Sequence, residues 1–441
     1  VDTESTDTTL TLAKVAEPSS EEEAPENQGF TKRQIMRNMV FCVMMDAIFM
    51  MGWADTQMAL QPLLVYLGAS NTTIGIITGL NWAGFLGIVT SPWITRRFHY
   101  KKRYFFGVNI PYLAPLALAG VGVLLGHSLG WSNSTMISFL LVAFVAHHLF
   151  GGFVSLPHTE YIAACIPMAY RARLTGLSFG VGSVLGLISA AIGRHILTHV
   201  SKPQAYGYLL LLTWVIIQSG YLLALFAKEK RTPVEKSPPA WSLAMLKAFW
   251  NDKRFINYVV LTSIATICMG SNTINFFNVY GLKVVKMPDV TVPIMVSITL
   301  LVRVFCAAPL GWLTDWIGPK RLLPLWSLVG SAAFLPAILM PTPTGVYVSI
   351  GLGIFYLAGF NAASSVLGYG LPKPEHRGGH FTLQIIFGVA ALSAAAMLTG
   401  KLADMFSYRT VFIGIFVIGV IMYPVSLYMM RIMPDKASEY S

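Results

Sequence analysis

Apolar runs long enough to cross a bilayer recur along this chain, and they leave little choice of fold. A hydrocarbon core demands about 20 apolar residues per helix. Such runs fall near residues 36–66, 73–94, 104–126, 134–160, 174–199, 206–227, 255–281, 291–314, 322–340, 346–370, 381–406 and 408–430. In lipid every backbone N–H and C=O must be satisfied within its own segment, so runs of this length are helices. The expected fold class is an all-α polytopic membrane protein with twelve transmembrane helices. Composition agrees, since 55% of the 441 residues are hydrophobic and only 12% charged, which argues against soluble domains.

The distribution of charge sets an orientation. Residues 1–29 hold eight acids and one lysine and almost no large apolar side chain, so they are expected to form a disordered acidic tail. No charged-then-apolar cleavable signal precedes the first run. The other 412 residues carry 30 basic and 12 acidic side chains. A basic excess can signal nucleic acid, but here it lies in short loops between apolar runs, beside anionic lipid heads, so the expected partner is the bilayer and not nucleic acid. With the amino terminus inside, 23 basic residues fall in cytoplasmic segments against Lys202, Lys283, Lys286 and Arg409 outside. That bias places both termini in the cytoplasm. Compactness and short loops suggest the inner (plasma) membrane and a monomer. Cys42, Cys165, Cys268 and Cys306 lack the paired spacing of a disulfide framework or a zinc site and read as packing residues.

The longest loop divides the runs six and six. The expected organisation is an N-terminal bundle over 30–227, a cytoplasmic linker over 228–254, a C-terminal bundle over 255–431 and a short tail over 432–441. Within the linker, Trp241 to Trp250 places Trp241, Met245 and Ala248 on one side of a possible amphipathic helix. The halves repeat: Trp93-Ile-Thr-Arg-Arg-Phe-His-Tyr-Lys-Lys102 aligns without gaps with Trp312-Leu-Thr-Asp-Trp-Ile-Gly-Pro-Lys-Arg321. Six-helix repeats about an axis along the membrane normal imply a site near midplane between them.

The second copy, with Gly311, Leu313, Asp315, Gly318, Lys320 and Arg321, resembles the signature loop of the major facilitator superfamily. That resemblance implies two pseudo-symmetric bundles, a central cavity lined by the first, fourth, seventh and tenth helices, and small-molecule transport by alternating access. It also implies a gating role for Gly311, Asp315, Gly318 and Arg321, with Asp315 facing the start of the fifth helix, Ala172 to Thr175, as a latch on the inner gate. The first-half copy has Arg96 where the acid would repeat.

Polar groups inside lipid are expensive, so each is a candidate functional residue. Asn272, Asn275 and Asn278 share one face of the seventh run at spacings of three. Carboxamides both donate and accept, which suits polar solutes. The surrounding stretch is faintly similar to a sugar-porter motif at Asn275 and Tyr280, but the segment after the sixth run, Ala227-Lys-Glu-Lys-Arg231, lacks that family's pattern. In the first run, Asp46 shares a face with Met50, Trp53 and Gln57, while Asp55 lies on nearly the opposite face. Either carboxylate is suited to proton exchange. Arg303, at a depth of about 16 Å, is expected to neutralise Asp46 or an anionic group of the solute. His147 and His158 share a face of the fourth run, and Asn361 adds a polar group from the tenth.

The expected function is secondary active transport of a small polar organic solute, coupled to protons. No cofactor, metal or catalytic role is expected, since neither a phosphate loop nor a catalytic constellation occurs. The rivals are efflux of amphipathic drugs through a Met-rich pocket (Met44, Met45, Met50, Met51 and Met58) and a polytopic membrane enzyme or receptor.

Overall fold

The computed structural model describes residues 30–95, 97–231, 247, 249–371 and 377–432. Helices are Lys32–Tyr66 (α1), Asn71–Thr78 (α2), Phe85–Thr95 (α3), Lys101–Ser128 (α4), Asn133–Cys165 (α5), Met168–His199 (α6) and Gln204–Leu223 (α7). The second half supplies Lys253–Met269 (α8), Ser271–Lys283 (α9), Val292–Ile317 (α10), Pro319–Ala332 (α11), Leu335–Leu339 (α12), Pro343–Gly370 (α13), Arg377–Met405 (α14) and Tyr408–Met429 (α15). Eleven membrane-crossing segments meet the length and hydropathy expected of a span among the described residues.

The twelfth expected span, the second, is interrupted. It runs as α2, a 3₁₀ turn over Leu80–Gly84 and α3. The break coincides with the closest backbone approach in the first half, where a Cβ on Gly152 of α5 would stand 1.9 Å from the Gly84 carbonyl oxygen. The seventh span is also divided, between α8 and α9, at Gly270. A Cβ there would lie 2.3 Å from the Thr266 carbonyl, so the turn demands glycine.

Helix starts follow capping chemistry. Thr31 forms a reciprocal capping box with Gln34, and Ser70, Ser132, Asp252, Thr342 and Ser407 each accept an amide of the first turn of α2, α5, α8, α13 and α15. The start of α4 is served by Glu229, which accepts from the amides of Lys101 and Lys102. Burial outweighs those bonds and the two lysine charges and holds the Glu229 carboxyl above its usual range. Asn38 of α1 adds bonds of 2.8 Å to the Cys165 carbonyl and to both backbone groups of Lys228. This end of the molecule, where the linker leaves the first bundle, is termed the linker end, and the opposite end the far end.

The two signature copies differ locally. Gly318 takes φ +91°, which lets α11 follow α10 after a single residue. His99 stands at the aligned position in the first half, and there the helices are separated by the longer stretch from Thr95 to Lys101. Of the expected linker helix, residues 241–246 and 248 lie outside the described residues. Phe249 is buried against Phe255, His380 and Phe387, while Trp250 is exposed.

In the first bundle α1 packs on α6 and α7, and α4 on α5 and α7; in the second, α13 bridges α10 and α11. Between bundles, α2 meets α14 and α6 meets α10. The α2–α14 contact is backbone on backbone: a Cβ at Gly75 would lie 2.5 Å from the Ala396 carbonyl and one at Gly400 2.3 Å from that of Asn71. Gly182 and Gly186 of α6 face Met50 of α1 and Leu300 of α10, whereas Gly176 and Gly180 face open space. Gly152→Ala is therefore expected to destabilise the protein by about 1–3 kcal/mol, and Gly180→Ala to be neutral or stabilising by up to about 1 kcal/mol. Thermal unfolding of the two variants in detergent tests the contrast.

Candidate functional site

A cavity of about 930 Å³ lies between the bundles. Its walls come from α1, α5, α8 with α9, and α13, the first, fourth, seventh and tenth spans, with additions from α2, α3, α4, α6, α7, α10 and α14. Trp53, Gln57, His147, Asn275, Arg303 and Asn361 all line it. Asn278 is buried and absent from the lining, and the side chain of Asn272 lies outside the described residues. Phe49, Thr56, Tyr112, Phe144, Thr266, Thr299 and Tyr356 also form the wall. The threonines carry a readable signal as isolated polar residues in apolar spans; the aromatic ones do not, because they look like ordinary core.

The break at Gly270 explains how the seventh span reaches the site. Gly270 lines the cavity, and interrupted backbone is tolerated at membrane depth where it borders such a space. Asn275 and Asn278 lie about 60° apart around α9, and of the two only Asn275 lines the cavity.

His147 is held from behind. Its Nδ1 lies 2.9 Å from the Tyr112 carbonyl oxygen and its ring stacks on that of Tyr112 with centroids 4.5 Å apart. Donation from Nδ1 leaves Nε2 as an acceptor.

Arg303 does not meet Asp46. The two Asp46 carboxylate oxygens are engaged inside the first bundle, by His158 Nε2 of α5 at 2.9 Å and by Ser178 Oγ of α6 at 3.3 Å. Arg303 instead lies over the Trp53 ring, 5.5 Å from its centroid, about 10 Å further along α1 at 1.5 Å per residue. A depth counted along helices ignores tilt and the reach of an arginine side chain. No ion pair or hydrogen bond joins Arg303 to another described residue; the indole face offsets about 0.5–2 kcal/mol of the cost of its charge. Asp55 is fully buried beside the Ser189 hydroxyl, and neither carboxylate oxygen makes a hydrogen bond of normal geometry to a described residue. Of the seven methionines in α1, Met50 alone lines the cavity, and Met39, Met45 and Met58 are buried within the bundle.

A model of the major facilitator superfamily matches residues 39–371. The chain belongs to that superfamily. Among solved structures it is similar to a POT family transporter in complex with 5-aminolevulinic acid (TM-score 0.71, 11% identity, 89% of this chain and 96% of that one). It is also similar to a D-xylose–proton symporter (0.70, 14%, 91% and 98%). A third is a bacterial homologue of the human lysosomal transporter Spinster, inward-facing and unoccupied (0.68, 14%, 91% and 98%). At these identities the likeness is one of fold. Among curated proteins no sequence match is found.

In this member of the superfamily, the polar contacts between bundles among the described residues gather at the far end. Asp404 of α14 accepts from the amides of Asn71 and Thr72 at 3.1 and 2.7 Å and from the Thr72 hydroxyl at 2.6 Å. Lys283 Nζ donates to the Ala69 carbonyl at 2.6 Å and to Asn71 Oδ1 at 2.9 Å, and the Tyr408 hydroxyl donates to the same Asn71 oxygen at 2.8 Å. Beside them Lys202 pairs with Asp289 at 2.6 Å, and the Tyr206 hydroxyl bonds the same carboxylate. Asp404, Asn71, Lys283 and Asp289 were not recognisable in the sequence, since polar residues at span ends are ordinary.

At the linker end several residues of the signature loop are exposed. Asp315 and Arg321 are exposed and bonded to no described residue, Gly311 faces open space, and Trp312 and Trp316 stack on each other, exposed, with centroids 6.0 Å apart. Arg171, at the start of α6, donates to the Ile166 and Ala163 carbonyls and so closes the end of α5 within its own bundle. Arg96 and the side chain of Arg377 lie outside the described residues.

Asp404→Asn removes the charge from the far-end junction. The expected loss is about 1–3 kcal/mol of closure, the range for hydrogen bonds to a charged group. It should raise the labelling rate of a cysteine placed at Gln57 by an impermeant thiol reagent added from the far side.

Proposed function

We propose that this protein is a secondary active transporter that moves a small polar organic solute across the inner (plasma) membrane by alternating access, coupled to protons. The observation that carries this reading is the cavity lined by both bundles, which among the described residues are joined by hydrogen bonds and an ion pair at the far end. By the positive-inside bias the linker end is cytoplasmic, so the arrangement is an inward-open state, with the outer gate closed by Asp404, Lys283 and Asp289. The similar Spinster homologue is likewise inward-facing. The protein acts as a monomer, since each chain holds a whole cavity.

In this reading Trp53, Gln57, His147, Asn275, Arg303 and Asn361 contact the solute. The proton path uses Asp46, bonded to His158, and Asp55. A charged carboxylate buried without a partner is costly, so Asp55 carries its proton in the inward-open state and exchanges it when the bundles rearrange. A similar structure is that of a D-xylose–proton symporter, which supports protons as the coupling ion. Asp315 completes the cycle. When the protein opens outward it meets the start of α6, whose free amides and helix dipole favour negative charge. The efflux alternative loses its main support, because the α1 methionines other than Met50 lie outside the cavity lining.

Flux in proteoliposomes tests the proposal. Wild-type uptake of a transported solute is expected to accelerate under an imposed pH gradient. Asp55→Asn should retain solute exchange while losing at least about tenfold of the gradient-driven component, a change of about 1.4 kcal/mol. Absence of gradient-dependent movement of any solute in a broad panel would refute the reading. Asp315→Asn should shift the population toward the inward-open state, seen as faster labelling of a cavity cysteine from the cytoplasmic side.

A further inference from the structure

We infer that the transported solute is an organic monoanion whose oxyanion is held by Arg303. The inference rests on the transport reading and names the substrate class of the same cavity.

Arg303 is the only lysine, arginine, aspartate or glutamate among the described residues that line the cavity. Its position in α10, 11 residues from Val292 and 14 from Ile317, sets it near the middle of the span. An intramembrane arginine ordinarily pairs with an acid or with backbone carbonyls. Here the two nearby candidates are spoken for or sealed off: Asp46 is bonded to His158 and Ser178, and Asp55 is fully buried outside the cavity lining. The Trp53 ring, 5.5 Å away, is the contact that the guanidinium makes. A ring face stabilises positive charge but accepts none of the five N–H groups in the conventional sense. The cavity therefore presents a flat fork of donors that no described residue engages by a hydrogen bond or ion pair, the geometry that grips a carboxylate two-pronged.

The count of charges narrows the class further. One guanidinium neutralises one negative charge, and no second lysine or arginine lines the cavity among the described residues; of the two lining histidines, His147 is bonded through Nδ1 to the Tyr112 carbonyl and offers an acceptor at Nε2, and His148 packs against the rings of Phe144 and His147. A phosphate dianion would remain half-paired, whereas a monocarboxylate or monosulfonate is matched. The rest of the wall describes the body of the molecule. Phe49, Phe144 and Tyr356 supply apolar faces, and Gln57, Asn275 and Asn361 supply donors and acceptors for further polar groups. Binding also removes the bare charge from the membrane interior, so the loaded carrier rearranges at less electrostatic cost than the empty one.

The test compares acids with their uncharged isosteres on the purified full chain in detergent. Thermal stabilisation is measured for benzoate against benzamide, indole-3-acetate against indole-3-acetamide, and lactate against lactamide, each at equal concentration. At least one acid is expected to stabilise the wild type beyond its amide. Its apparent affinity should fall roughly ten- to a hundredfold in Arg303→Gln and less in Arg303→Lys, which keeps the charge but loses the fork. Since no described residue forms a hydrogen bond or ion pair with Arg303, the unliganded melting temperature of Arg303→Gln should stay close to that of the wild type. Should that variant not fold, the Arg303→Lys series decides. Equal effects of acid and amide throughout the panel, or acid binding unchanged by both substitutions, would overturn the inference. Flux separates it from the transport reading. Arg303-dependent binding of an acid without flux would leave the anion site and remove transport, while flux with Arg303-independent binding would do the reverse.

Discussion

A carboxylate at a helix end holds the two bundles together. Asp404 stands at the start of α2, where the amides of Asn71 and Thr72 have no partner within their own helix and the helix dipole favours negative charge. The Ser70 hydroxyl takes the next amide, from Thr73, at 3.0 Å, so the first turn is satisfied jointly by its own cap and by the opposite bundle. Lys283 and Tyr408 converge on Asn71 from the same side. This junction needs α2 and α14 in backbone contact, which Gly75 and Gly400 permit. The cavity lies between the bundles joined there.

The buried polar groups are settled in three different ways. Asp46 is satisfied within its bundle by a histidine and a serine, Asp55 is sealed from water without a hydrogen bond of normal geometry to a described residue, and Arg303 is left facing the cavity with an indole beneath it. Those arrangements differ in what they can exchange. In the proposed reading the bonded pair holds its geometry, the sealed acid carries a proton, and the guanidinium, unpaired among the described residues, holds a place for an anion. The proposed transport cycle uses all three, and a bundle rearrangement changes the surroundings of each.

Much of the fold was legible because lipid imposes a simple rule. Run lengths and spacing placed the spans, and the loop from Gly311 to Arg321 pointed to the superfamily. Two spans nevertheless proved discontinuous. The breaks at Leu80–Gly84 and at Gly270 occur where another backbone or the helix's own carbonyl comes too close for a side chain. Glycine in a membrane helix is common, so neither break announces itself. In the site, the face of α1 carrying Trp53 and Gln57 was readable from helical periodicity, whereas the partner of Asp46 was not. His158 is 112 residues away, and only the packing of α5 on α1 selects it over Arg303.

The sequence by itself determined that the chain crosses the membrane many times, that its basic loops share one side, and that polar groups occupy the interior of several spans. These follow from apolar length, charge distribution and residue type, which act locally and survive any arrangement of the helices. Tertiary structure alone decided which polar groups meet, which are sealed, and at which end the bundles close. Those outcomes depend on helix tilt, rotation and glycine-permitted approach. A shift of one helix by a single residue turns its side chains by about 100°, enough to exchange a cavity wall for a buried seam.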